Sequence, residues 1–224
     1  RAVREHVIKA AAHIFEADEG DVDAADGQVF VKGTDRGMSF RELARAVYSE
    51  MGRLPKDIRE NIELEATRMY DPYFGTTTPA SHLAVVEVDP ETYQVTVQNY
   101  VVAEDCGRVI NPLIVDGQVH GGVAQGIGAA LMEEVVHDGA GQIQTASLMD
   151  YVVPTAAEIP AMQVHHLETV LPDNPGGFRG MGEGGTIGAP AALANAITDA
   201  VGLNVNVLPM TPERLFRLVT ETKE

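Results

Sequence analysis

Hydrophobic positions recur at helical spacing at the start of the chain. Val3, Val7, Ala10, Ala11, Ile14 and Phe15 are interleaved with charged residues and predict an amphipathic helix over about residues 1–17. An acidic run from Glu16 to Asp26 follows, Asp26-Gly27 signals a turn, and Gln28 to Lys32 predicts a short strand. Ser39 with Glu42 three residues on is a capping-box pattern that opens a helix from Phe40 to Met51. Residues 1–52 thus predict a helix-hairpin-helix module, without evident chemistry. From 53 to 80 the periodicity weakens among Pro55, Pro72, Gly75, three threonines and Pro79, which predicts a connection ordered against other protein.

The valine-rich stretches His82 to Asp89 and Gln94 to Ala103, joined through Pro90-Glu91-Thr92, predict a β-hairpin. Pro112 suits the first turn of a helix, and the pattern from about Leu113 to His137 has helical length. Strands are expected at Gln142 to Tyr151 and Met162 to Val170, a buried Ala-rich helix at Ala189 to Val201, and a last strand at Leu203 to Leu208. Thr211-Pro212 opens a terminal helix. The fold class is α+β.

Two stretches break these patterns with glycine. The first, Gly176 to Gly188, holds seven glycines and one carboxylate, Glu183, in thirteen residues, and runs directly into the Ala-rich helix. Gly180, Gly182 and Gly185 satisfy the spacing of a dinucleotide fingerprint, but Pro172 to Gly177 cannot be the hydrophobic strand that such a fingerprint requires before it. Two readings of the stretch stay open: a surface loop with a solvated Glu, or a loop at a helix N-terminus facing an anionic cofactor, with Glu183 beside it as a base.

The second stretch, Asp105 to Gly128, has five glycines between Gly117 and Gly128, inside a predicted helix. Each glycine costs about 1 kcal/mol there relative to alanine, so a neighbouring helix or a cofactor is expected to pack against bare backbone. Gln118 and Gln125, seven residues apart, share a helix face and are expected to be buried amides in need of partners.

Composition narrows the possible functions. A net charge of −17 opposes sequence-independent nucleic-acid binding and anionic membrane surfaces. The one cysteine, Cys106, excludes a disulfide framework or an iron–sulfur cluster held by this chain alone, and is read as a small hydrophobe. No run of about 18 apolar residues exists, and a cytoplasmic location is expected. The first residue is Arg1 rather than Met, so a piece of a larger polypeptide is expected. His165 and His166 would point to opposite faces of a strand, and no His or Cys spacing matches a zinc site. Without a Gly-x-Ser-x-Gly elbow or a Ser/His/Asp set, Glu183 is a base with no protein nucleophile to activate.

The run Asp105 to Gly122, with Asn111-Pro112 and Gly117-Gln118-Val119, together with Gly180-Met181-Gly182-Glu183-Gly184-Gly185-Thr186-Ile187-Gly188-Ala189-Pro190, resembles the molybdenum-binding large subunit of the xanthine oxidase family. That family includes carbon monoxide dehydrogenases, aldehyde oxidoreductases and N-heterocycle hydroxylases. The resemblance extends over Arg1 to Thr220 and matches the C-terminal part of such a subunit.

It implies that residues 81–224 form the cofactor-binding region and that Glu183 is the general base in an oxidation with water-derived oxygen at a molybdopterin centre. Gln118 would sit close to the metal, and Met181 and Gly182 would line the cofactor through backbone, with no protein ligand to the molybdenum. The cofactor implied is molybdopterin, as the cytosine dinucleotide, with iron–sulfur clusters and FAD on other subunits or domains. The partners implied are the N-terminal half of the subunit, an iron–sulfur subunit and a FAD subunit, in a dimer of heterotrimers. The alternative is a non-catalytic structural or assembly domain of the same fold.

Overall fold

In a computed structural model, residues 1–50, 56, 60, 63–71 and 76–221 are described, and the chain divides into two compact units, Arg1–Asp71 and Pro72–Glu224. In the first unit, helix α1 (Ala2–Phe15) buries Val7, Ala10, Ala11, Ala12 and Phe15. Against it lies an antiparallel meander of β1 (Val22–Ala25), β2 (Gln28–Val31) and β3 (Gly37–Ser39). Strand β1 falls within the acidic run, where the alternation Val22, Ala24 is too short to stand out. Asp26 and Gly27 both have positive φ, 49° and 76°, as a two-residue primed hairpin turn requires. The capping box forms as expected: Ser39 and Glu42 bond each other's backbone and open α2 (Phe40–Tyr48), which buries Leu43 and Val47. Met51, the expected end of that helix, and most of the 53–62 and 72–75 portions of the connection lie outside the described residues.

In the second unit, β4 (Ala80–Val88) and β5 (Val95–Glu104) pair antiparallel, and β6 (Met162–His166) joins β5 in parallel. The Asp89 carboxylate accepts the N–H groups of Glu91 and Thr92 at 2.7 and 3.0 Å and shapes the turn between β4 and β5. Val86 pairs with Val97 but Val85 pairs with Asn99, so Gln98 is a bulge residue left out of the backbone register, its side-chain amide donating to the Glu87 carboxylate at 2.7 Å. The bulge shifts the inward face of β5 from Val97 to Tyr100, Val102 and Glu104. Helices α3 (Pro112–Leu131), α4 (Ala189–Val201) and α5 (Pro212–Glu221) complete the unit. Its core joins Tyr100 and Val102 to Val119, Val123 and Ile127 of α3, Leu193 and Ile197 of α4, and Leu215 of α5. The described architecture is α+β, as the sequence predicts.

Four elements differ from the sequence reading. Helix α3 stops at Leu131 rather than near His137, where the Gly128 carbonyl accepts the N–H groups of both Met132 and Glu133. Gln142 to Tyr151 is no strand and makes one isolated bridge, His137 to Ile143. Its neighbourhood is turned by polar side chains: the Asp138 carboxylate accepts from Ala140 and Gln142, and the Thr145 hydroxyl accepts from Val136. Such bonds compete with a ladder for the backbone. Strand β6 ends at His166 instead of Val170, because Thr169 donates its N–H to the Asp105 carboxylate. Among the described residues Leu203 to Leu208 has no sheet neighbour, and Val205 donates to the Thr198 hydroxyl instead.

Candidate functional site

The two glycine-rich stretches meet. Gly107 and Phe178 form a bridge, flanked by Arg108 N–H on the Gly177 carbonyl at 3.1 Å and Arg179 N–H on the Cys106 carbonyl at 2.7 Å. Gly107 has φ 66°, and a Cβ there would lie 2.3 Å from the Gly177 oxygen, so the approach requires glycine. The buried Asn174 amide donates to the Phe178 carbonyl and fixes the start of the loop. Further on, Gly180 N–H donates to the Thr76 carbonyl at 3.0 Å, and the Thr78 hydroxyl donates to the Gly180 carbonyl.

The segment around Glu183 then folds into a turn. The Glu183 carbonyl accepts the N–H groups of Thr186 and Ile187 at 3.0 and 3.2 Å, and the Thr186 hydroxyl donates to the Gly122 carbonyl of α3 at 3.1 Å. A Cβ on Gly185 would lie 2.6 Å from the Val119 oxygen and 3.2 Å from that of Gln118. The bend that carries Glu183 is therefore seated on the turn of α3 that carries Gln118. Gly122 and Gly126 of α3 receive Gly185 and Ala189, so these two helical glycines serve packing within the chain. Gly117 and Gly121 face open space.

A cavity of about 530 Å³ opens beside the bend, walled by Thr76, Thr77, Thr78, His82, Glu183 and Ile187 together with backbone of Gly180, Gly182, Gly184 and Gly188. Of the residues singled out in the sequence, Glu183 and Gly182 line this cavity. Met181 is half-buried and packs on the core. Gln118 is exposed on α3, and so is Gln125, contrary to the expectation of buried amides: the face they share points away from the core formed by Val119, Val123 and Ile127. Glu183 is exposed too. Among the described residues neither the Glu183 carboxylate nor the Gln118 amide has a hydrogen-bond or ion-pair partner.

Behind the site lies a buried polar cluster. Glu104, 1 % exposed, is bonded through Oε1 to His166 Nδ1, while His166 Nε2 meets Asp116 Oδ1 of α3 at 2.7 Å. Burial by itself pulls the His166 imidazole down, but the Asp116 and Glu104 carboxylates outweigh it and hold it above the ordinary histidine range. Cys106 is buried, and burial followed by the Glu104 charge pushes its thiol up, which leaves it an inert small hydrophobe as the sequence suggests. Among the described residues no group of His, Cys, Asp and Glu is arranged to hold a metal, and no helix is long and apolar enough to cross a membrane.

Sequence reasoning misses Thr76 to Thr78, His82 and Tyr100. The threonine run is visible, but in a stretch read as a connection. His82 meets its partners at sequence separations of 18 and 102 residues, which no local pattern reveals.

The sequence profile of the molybdopterin cofactor-binding domain matches residues 1–160, a span that includes Gln118 and ends before the Glu183 loop. The chain is 38 % identical over 220 residues to the nicotine 6-hydroxylase large subunit of Paenarthrobacter nicotinovorans, covering 96 % of this chain and 27 % of that protein. It is 32 % identical over 224 residues to the carbon monoxide dehydrogenase large chain of Hydrogenophaga pseudoflava, covering 99 % and 27 %. The solved structure of quinoline 2-oxidoreductase from Pseudomonas putida 86 superposes with a TM-score of 0.83 at 42 % identity, over 98 % of this chain and 28 % of that one. The chain thus spans about a quarter of the length of the curated relatives it matches. A match over most of the sequence and a shared fold that includes both glycine-rich stretches show that the chain belongs to the molybdenum-binding large subunits of the xanthine oxidase family.

Proposed function

We propose that this chain supplies the general base, Glu183, to a molybdenum hydroxylase that oxidises a small substrate with water-derived oxygen at a molybdopterin centre. The observation that carries the reading is the seat of the Glu183 bend on α3: Gly185 lies against the Gln118 and Val119 carbonyls, and the carboxylate faces the cavity without a partner. A carboxylate tied into an ion pair would hold its proton affinity for structure. This one would be free to accept the proton of the water-derived hydroxyl.

The residues present fit the cofactor. Gly182, Gly117 and Gly121 leave bare backbone with open space where a Cβ would stand, and the threonine run adds hydroxyls along one wall. Gln118 would approach the group with an amide that both donates and accepts, and Met181 and Gly182 would meet it through backbone, Met181 turning its side chain into the core. When bound, the cofactor, in the cytosine dinucleotide form, supplies the metal that takes two electrons from the substrate.

Glu183 and Gln118 are exposed in this chain, so the remaining walls that exclude water come from the rest of the subunit. The N-terminal half is the partner proposed for this face, with an iron–sulfur subunit and a FAD subunit as the electron path, in a dimer of heterotrimers in the cytoplasm. A relative named as the gamma subunit of the 6-hydroxypseudooxynicotine dehydrogenase complex of Paenarthrobacter nicotinovorans is 39 % identical over 222 residues, which supports a multi-subunit setting.

The test is Glu183→Gln in the complete enzyme, which should lower turnover at least about 100-fold while molybdenum content stays at the parent level. Full turnover in that variant removes the base assignment. A complete complex that never carries molybdenum would support a structural or assembly role instead.

A further inference from the structure

Glu183 is flanked by Gly182 on one side and by Gly184 and Gly185 on the other. Glycine backbone explores both positive and negative φ at little energetic cost, so a carboxylate on such a hinge needs an external hold to keep a fixed reach into the cavity. One hold is Gly185 on α3. The other comes from the sheet.

His82 stands on β4 with its ring at the cavity wall. Its Nε2 is 2.9 Å from the Gly184 carbonyl oxygen, and its Nδ1 is 3.0 Å from the Tyr100 hydroxyl on β5. A carbonyl can only accept, so Nε2 carries the hydrogen and Nδ1 is left to accept from the Tyr100 O–H. Tyr100 is fully buried, and burial holds its hydroxyl far above the ordinary tyrosine range, so it remains a proton donor. The two rings meet edge to face, with centroids 5.9 Å apart and planes at 78°. Gly188 completes the arrangement: a Cβ there would lie 2.4 Å from His82 Cδ2, so only bare backbone lets the ring reach Gly184.

We propose that His82, oriented by Tyr100, is a positioning residue that clamps the peptide next to Glu183 and so fixes where the carboxylate sits over the cavity. The inference rests on Glu183 being the base, and it assigns a role to two residues that the scheme leaves without one. The hydrogen bonds run in series from the sheet interior to the hinge, so altering Tyr100 acts on Glu183 only through the tautomer and angle of His82.

The experiment uses the complete enzyme carrying His82→Ala, His82→Gln or Tyr100→Phe, with kcat, KM, molybdenum content and amide hydrogen exchange at Thr186 and Ile187 as readouts. Those two amides report the turn because they donate to the Glu183 carbonyl. His82→Ala should lower kcat about 100-fold, the effect of a misplaced catalytic group, with KM and molybdenum content unchanged and faster exchange at both amides. His82→Gln, which keeps one acceptor and one donor, should recover most of that loss. Tyr100→Phe should fall between the two.

Parent-like kcat and exchange in His82→Ala would overturn the inference, as would an equal loss in His82→Ala and His82→Gln. Should His82→Ala fail to assemble, Tyr100→Phe decides alone: slower turnover with faster exchange at the turn supports the clamp, and parent values for both refute it. Full turnover in Glu183→Gln would instead remove the base itself, a different result from an inactive Glu183→Gln beside an unaffected His82→Ala.

Discussion

Two carboxylates of the second unit, Glu183 and Glu104, stand in opposite circumstances. Glu183 is exposed, without a partner among the described residues and mounted on glycines; Glu104 is buried, bonded to His166 and set at the end of a strand in the core. The buried acid ties β5 through His166 to Asp116 on α3, four residues before His120 and two before Gln118. It holds the helix against which the other acid's bend is seated. A charge taken out of water needs a bonded partner, which Glu104 has through Oε1 while its Oε2 stays buried without one among the described residues, whereas a charge meant to move a proton is left without a partner until substrate arrives.

That contrast is open to measurement. The largest stability effect should come from His166→Ala, which leaves both oxygens of Glu104 buried without a bond. Breaking a buried pair costs about 3 kcal/mol or more, read as a fall in the denaturant midpoint, and Glu183→Gln should leave that midpoint unchanged. Next is Gly185→Ala, whose Cβ would collide with the Val119 carbonyl. Overpacking of this kind costs about 1–3 kcal/mol, and because it lifts the bend off α3 it should lower turnover as well, a combination that Glu183→Gln does not give.

Ser39→Ala in the first unit is a control. It removes the capping box of α2 and should cost about 1 kcal/mol in thermal unfolding of the Arg1–Asp71 unit without altering turnover. The smallest expected signal is a pH slope. His166 is held above the ordinary histidine range, so its contribution to stability is complete below about pH 6.5 and is lost as pH rises through its elevated folded value. His166→Gln should abolish that decline above neutrality; an identical slope in the parent and the variant would detach the cluster from it.

Much of the local architecture is legible in the chain. The Asp26-Gly27 turn, the Ser39-Glu42 box, the Asn111-Pro112 helix start and the Ala189–Val201 helix each rest on residue types whose backbone preferences act within a few positions. The loop with Glu183 is conspicuous for the same reason, since glycine density is a local signal. What the sequence hides is non-local. Leu203 to Leu208 has the composition of a strand but, among the described residues, no neighbour to pair with, and in Gln142 to Tyr151 the Gln142 N–H goes to Asp138 while the Thr145 hydroxyl engages Val136. The clamp on the Glu183 hinge joins residues 18 and 102 positions apart. The open side of Gln118 is hidden for another reason: its position on the helix is readable, but which face meets the core is decided by Val119, Val123 and Ile127 acting together with the sheet.

The bulge residue Gln98 on β5 has a reach beyond its own position. It resets the alternation of the strand, and both Tyr100 and Glu104 lie downstream of it. Were the same residues paired in a regular ladder, without the bulge, the remainder of β5 would turn over, swinging the tyrosine away from its imidazole and the acid out toward solvent. A bulge that absorbs one supernumerary amino acid, outside the cavity lining, keeps two separate polar fastenings aimed inward.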